Sequence, residues 1–308
     1  MPNSIKASEV KDVVKSAYES DMLGFVPCFI GPPGIGKTEG VYALGREKGV
    51  KVVTFILSNT VPSEVSGIRM PDNSTKKLEV FDDSRMASLE DGDILFLDEF
   101  LEADRSLWSA CLTLINDRVM ASGRPLPNVQ IVAASNHVAS PGIIEASVRD
   151  RFNFFDVKFD GDTWCDWFEQ EFGVRPEQSL VSRIQEDSDQ YNILTPRRVA
   201  KMYRYLKQGP DDPDMWSKKL RYITCMFDAV VCDELVWLVK QRKTKQKQIS
   251  EAVENIEGLD LHEILTDYNG WSLKEIMTYL SSRDEWPMIE EALASIEFDD
   301  GSNEDIQY

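Results

Sequence analysis

Eight consecutive residues, Gly31-Pro32-Pro33-Gly34-Ile35-Gly36-Lys37-Thr38, have the types and spacing that cradle a nucleoside triphosphate. They satisfy the phosphate-loop pattern GxxxxGK[ST] in full. Its glycines let backbone N–H groups crowd around a β-phosphate, its lysine reaches the β- and γ-phosphates, and its threonine hydroxyl holds Mg2+. A second element, Ile94-Leu-Phe-Leu-Asp98-Glu99, is an apolar run that ends in two carboxylates. Asp98 at that end suits Mg2+ held through its water shell, and Glu99 suits polarising the water that attacks the γ-phosphate. An aspartate alone would serve binding or a kinase, so the pair points to hydrolysis. A third element, Val129-Gln-Ile-Val-Ala-Ala-Ser-Asn136, places an amide immediately after a buried run, within reach of the γ-phosphate or the attacking water. Arginines follow at 149 and 151, within Val148-Arg-Asp-Arg-Phe152, and at 197 and 198, after Pro196. Arginines neutralise γ-phosphate charge, and one supplied across a subunit interface adds about 10³–10⁵ in rate. For any one of the four, an ordinary surface position is the competing reading.

These side chains need a frame. Apolar runs at 25–30, 51–57, 93–98, 129–135 and 153–159 alternate with segments of helical character. Strands apolar on both faces and separated by helices predict a parallel α/β sheet. Thr38 to Lys48 reads as the helix leaving the phosphate loop, which puts the phosphates at a helix N-terminus. Between Ile68 and Phe81, the turn cluster Pro71-Asp-Asn-Ser-Thr75 predicts a hairpin inserted ahead of the third strand. Beyond about residue 160 the pattern becomes helical. Thr195 is placed to cap a helix that opens at Pro196, and Trp216 to Lys240 has apolar residues at helical spacing.

Charge is unevenly spread. The net charge is −19, of which residues 251–308 carry −14. The region holding the chemistry is therefore near neutral, and the acidic end repels nucleic acid at long range. Lys240 to Lys247 is a local basic stretch that reads first as a solvated helix end. Five cysteines without CxxC pairing and only two histidines, His137 and His262, point to buried thiols in a reducing compartment and away from zinc. No signal peptide or membrane span is evident in the sequence, so a cytoplasmic location is expected. The expected organisation is a nucleotide-binding domain over 1–160, a smaller helical lid over 161–247 and an acidic, mostly helical extension over 248–308.

The order of these parts resembles the AAA+ ATPases. Within them the match is closest to the MoxR family, through Pro62-Ser-Glu-Val-Ser-Gly67, Leu97-Asp-Glu-Phe-Leu-Glu-Ala103, Trp108 to Arg118, Ile131 to Asn136 and Ile144 to Phe152. The resemblance covers about residues 24–206. It implies an αβα core whose five-stranded parallel sheet has the order 5-1-4-3-2, a helical lid, and a homo-oligomeric ring, hexameric in the family, with ATP and Mg2+ at subunit interfaces. It further implies Asn136 as sensor 1, and Arg197 as sensor 2 with Arg198 as its neighbouring alternative. Arg151 would be the arginine finger, with Arg149 second, and hairpin 68–81 would face the pore or axial surface. Family members act as chaperone-like remodellers, often with a partner carrying a von Willebrand factor A domain and its metal-ion adhesion site. Two positions depart from the family: Leu101-Glu102 stands where Asn-Arg is usual, and His137 where proline is preferred. A nucleic-acid-associated motor or loader shares the same core and is the alternative function.

Overall fold

The computed structural model describes residues 3–20, 23–136, 146–189, 194–207, 218–221, 223, 227 and 231–242. His137, the acidic extension 248–308 and the middle of the expected helix 216–240 lie outside the described residues; 218–221 and 231–242 are helical.

Eight strands are described: β1 (Asn3–Lys6), β2 (Pro27–Ile30), β3 (Val52–Ile56), β4 (Ile68–Asp72), β5 (Lys77–Phe81), β6 (Ile94–Asp98), β7 (Gln130–Ser135) and β8 (Asn153–Lys158). Helices with described bounds accompany them: α1 (Val10–Glu19), α2 (Lys37–Lys48), α3 (Pro62–Ser66), α4 (Ser84–Ala87), α5 (Arg105–Asp117), α6 (Ala146–Arg149), α7 (Gly161–Phe172), α8 (Gln178–Asp189) and α9 (Pro196–Lys207). Six strands form one parallel sheet in the order β1-β8-β2-β7-β6-β3, and β4 and β5 pair as a separate antiparallel hairpin. The expected order of five is present as β8-β2-β7-β6-β3. The correction is a sixth strand, β1, whose residues Asn3 to Lys6 pair in register with Phe155 to Lys158. With one apolar residue in four, β1 is a strand because β8 offers it an open edge, and composition gives no sign of it.

The sheet is covered on both faces. Leu95 and Leu97 of β6 with Ile131 and Ala133 of β7 face one way and join a core with Leu107, Trp108, Cys111 and Leu114 of α5. The alternate residue Phe96 turns toward α2, its ring centroid 6.4 Å from that of Tyr42. On that face α1 crosses close to α2, because Gly40 leaves room for Val10 where a Cβ would come within 2.7 Å of its Cγ1. Pro27 is tolerated in a central strand because it is the first residue of β2, where the adjoining bond is made instead by Asn153 N–H to Val26 C=O at 2.8 Å.

The fold divides into two units, one of Met1–Trp164 with Gln178–Met202, the other of Cys165–Glu177 with Tyr203–Tyr308. In the second unit, the rings of Phe168 and Phe172 pack against Tyr203 at centroid distances of 5.1 and 4.8 Å, and the Arg204 guanidinium lies over Phe172. Among the described residues, no helix is long and apolar enough to cross a membrane.

Candidate nucleotide site

In a parallel sheet, loops leaving the carboxyl ends of neighbouring strands meet, and β2, β7 and β6 are neighbours here. The phosphate loop leaves β2 at Gly31 and runs into α2 at Lys37. Gly34 and Gly36 have φ of +77° and +114°, backbone that a side chain strains. Asp98 ends β6 and Asn136 follows β7. The six-residue loop, Lys37, Thr38, Asp98 and Asn136 are thereby gathered at one end of the sheet.

The contacts among them are specific. Lys37 Nζ donates to Gly31 C=O and Pro32 C=O, both at 2.8 Å, and to Asn136 Oδ1 at 3.3 Å. Thr38 Oγ1 donates to Asp98 Oδ2 at 3.2 Å. Gly31 N–H donates to Asn136 C=O at 3.1 Å, tying the start of the loop to the end of β7. Lys37 is buried at 5 % exposure, and that burial pushes its ammonium down to about 8, with Asp98 and Glu102 acting in the opposite direction. The negative charge of a phosphate in the site would restore the charged form of Lys37. Burial raises the Asp98 carboxyl from its ordinary value, against the hydrogen bonds from Glu99 N–H and Thr38 that lower it. Thr38 and Asp98 converge as a hydroxyl and a carboxylate oxygen, a hard donor pair that fits Mg2+ with its remaining positions on water and phosphate.

Glu99 stands at φ +56°, in left-handed backbone that is uncommon for a residue with a side chain. The turn is held by the Glu99 N–H to Asp98 Oδ1 bond at 3.0 Å, and the Glu99 carboxylate is bound by the Ser58 hydroxyl. Ser58 lies in the 3-10 turn Leu57–Asn59 after β3. Directly after Glu99, a second 3-10 turn, Phe100–Glu102, is anchored by Trp108 Nε1 donating to Phe100 C=O at 2.8 Å. Leu101 N–H of this turn reaches Ser135 Oγ at 2.7 Å, and Glu102 Oε1 accepts Asn136 N–H at 2.7 Å. Ser58, Glu102 and Ser135 were not among the candidates from sequence. Glu102 was legible only as a third acid near Asp98 and Glu99, and Ser58 carries no local signal.

The arginines divide. Arg197, at the start of α9, packs on the phosphate loop: a Cβ built on Gly34 would lie 2.9 Å from Arg197 Cβ. Its charge also bears on Lys37, lowering it further. Arg198 N–H instead bonds Thr195 Oγ1 at 3.2 Å, the capping contact expected at the helix start. Arg151 Nη1 turns back to Ser147 C=O at 2.7 Å, whereas the Arg149 residue at the end of α6 is exposed.

Residues 27–152 match the family model for the AAA domain (dynein-related subfamily). The Holliday junction branch migration complex subunit RuvB of Lactobacillus johnsonii is 26% identical over 162 residues, covering 48% of this chain and 42% of that protein. Its counterpart from Campylobacter fetus is 27% identical over 165 residues, covering 49% and 42%. The chain thus spans less than half the length of these curated relatives. Among solved structures, the Thermotoga maritima RuvB Holliday junction branch migration motor gives a TM-score of 0.46 at 18% identity, over 91% of this chain and 90% of that one. NtrX from Brucella abortus in complex with ADP gives 0.46 at 16% identity, over 66% and 50%. Residues 27–152, which hold the phosphate loop, the Asp98-Glu99 strand end and strands β2, β3, β6 and β7, match an AAA domain, and the parallel sheet that β8 and β1 complete has the P-loop AAA+ fold.

Proposed function

We propose that this chain is a MoxR-like, ATP-hydrolysing protein that assembles into a hexameric ring in the cytoplasm and uses turnover to remodel or activate a protein partner. The observation that carries the reading is the convergence of Lys37, Thr38, Asp98 and Asn136, with Arg197 packed on Gly34. Lys37 would leave the Gly31 and Pro32 carbonyls for the β- and γ-phosphates. Thr38 and Asp98 would hold Mg2+, which neutralises charge developing on the phosphates. Glu99 would accept a proton from the attacking water, Asn136 would orient that water, and Arg197 would neutralise the γ-phosphate. An arginine at the end of α6 or just past it, Arg149 or Arg151 of a neighbouring subunit, would complete the charge clamp. The exposed position of Arg149 favours it, since Arg151 is engaged with Ser147.

The proposed domain division is 1–160 for the nucleotide core, 161–247 for the lid and 248–308 for the acidic extension. A protein partner is favoured by the β4–β5 hairpin, where Ile68, Met70, Leu78 and Phe81 are all exposed, and by the net charge of −19. A von Willebrand factor A-domain protein is the partner class implied by the family resemblance. The RuvB relatives favour a second reading, a nucleic-acid motor.

Glu99→Gln protein with ATP bound, used as bait, separates the two. Recovery of a von Willebrand A-type protein supports the first reading, and recovery of DNA with replication proteins supports the second. If that protein binds no ATP at all, the nucleotide reading itself is wrong.

A further inference from the structure

We propose that Glu102 is a positioning residue for hydrolysis: its carboxylate fixes the Asn136 peptide, and through it the Asn136 amide beside Lys37. The inference rests on the ATPase reading above and assigns a new part within it.

The reason lies in where the β6–β7 ladder stops. Its last registered pair is Leu97 with Ala133, because the chain turns away at Glu99 in left-handed backbone. Asn136 therefore lies beyond the ladder, with no β6 carbonyl opposite its N–H. Glu102 Oε1 takes that N–H at 2.7 Å, and a bond to an ionised acceptor is stronger than the carbonyl bond it replaces. The carboxylate is delivered there by a rigid turn. Phe100 is fully buried, its carbonyl is held by Trp108, its ring sits 4.6 Å from that of Phe152, and Leu101 N–H is clipped to Ser135 Oγ.

Asn136 is thus held at three points, by Glu102 at its N–H, by Gly31 at its carbonyl and by Lys37 at its side-chain oxygen. The contact to Lys37 is the longest of the three, at 3.3 Å, and is the one that must exchange when phosphate arrives. What then keeps the amide in place is its backbone, and Glu102 holds half of that. Rates depend steeply on such placement: an ångström of error costs about 10²-fold.

The test uses the full chain with Glu102→Ala, Glu102→Gln, Asn136→Ala and the Glu102→Ala/Asn136→Ala double variant. A fluorescent ATP analogue reports affinity, steady-state phosphate release reports kcat and KM, and thermal melting reports folding. Glu102→Ala is expected to lower kcat about tenfold with affinity held within about twofold, because the fault is in placement and not in binding. Glu102→Gln, whose amide oxygen accepts the same N–H, is expected to recover kcat to within about threefold of wild type. In the Asn136→Ala background, Glu102→Ala should cost less than about twofold more, since the group being positioned is gone. Equal losses in both backgrounds overturn the proposal, as does a Glu102→Gln variant as slow as Glu102→Ala. Wild type that turns over ATP while Glu102→Ala does so equally well defeats this inference alone. Wild type without turnover defeats the ATPase reading beneath it.

Discussion

Ser58 Oγ donates a hydrogen bond to the Glu99 carboxylate, joining the turn after β3 to the end of β6. The bond draws the proposed base toward the turn after β3, the strand at one end of the sheet. If Glu99 is the base, this bond loosens before the carboxylate meets an attacking water. A hydrogen bond to a charged group is worth about 1.5–3 kcal/mol when shielded and less at an exposed position such as this one. Ser58→Ala is therefore expected to raise basal ATP turnover about two- to fivefold with KM unchanged, measured by steady-state phosphate release. Slower turnover would mean that Ser58 aligns Glu99 for the reaction.

Glu99→Gln keeps the size of the side chain and removes its basicity. ATP affinity should stay within about twofold, while kcat falls by about 10²-fold or more, the usual worth of a general base. Turnover near the wild-type level would place the base elsewhere.

Lys37 gives a prediction in pH. Its ammonium, ordinarily near 10.5, is brought to about 8 by burial, so between those values the unfolded chain binds the proton that the folded chain has released. Stability of the nucleotide-free protein therefore rises with pH across that window, and the penalty of burying the charge is present in full below it. Lys37→Met removes the charge at similar volume. Its melting temperature at pH 7 should be no lower than wild type, the pH-dependent rise should vanish, and ATP should no longer raise the melting temperature. A drop of several degrees at pH 7, or an ATP-induced rise that survives, would count against this account.

How much of this was legible in the sequence depends on the kind of feature. The five strands from 25 to 159 announce themselves by apolar runs such as Ile94 to Leu97, buried on both faces, and the hairpin by Pro71 to Thr75 between them. The phosphate loop and Asp98-Glu99 are contiguous motifs, and contiguity is what a sequence displays directly. Ser58 and Glu102 are different. Each matters because of a side chain met across strands, 41 and 34 residues away along the chain. Arg197 was legible as an arginine after a helix-opening proline, but its packing on Gly34 depends on where α9 lies. β1 was invisible because its partner, not its composition, makes it a strand.

Gly34 tests that packing. Gly34→Ala places a Cβ in backbone at φ +77° and 2.9 Å from Arg197 Cβ, so close that the loop or α9 must shift. Strain of this kind costs about 1–3 kcal/mol. A lower melting temperature together with weaker binding of the ATP analogue is expected, and unchanged values for both would show that the loop and α9 yield freely.

Arg149 and Arg151 call for a mixing experiment. If Arg149 acts on the site of a neighbouring subunit, Arg149→Ala protein binds nucleotide normally yet hydrolyses slowly. Mixed with Lys37→Met protein, it should recover activity, because some interfaces then pair an intact loop with an intact arginine. No recovery on mixing, with Arg151→Ala alone recovering in the same assay, would assign the role to Arg151.

Strand β1 has a consequence for handling the protein. By pairing along Phe155 to Lys158, it covers a strand that would otherwise present a row of open amides and carbonyls beside β2. Uncovered strands of this kind recruit strands from other molecules. A tag or truncation that disturbs residues 3–6 would turn the interior strand β8 into an adhesive rim, and the first symptom would be aggregation in a protein whose nucleotide chemistry is intact.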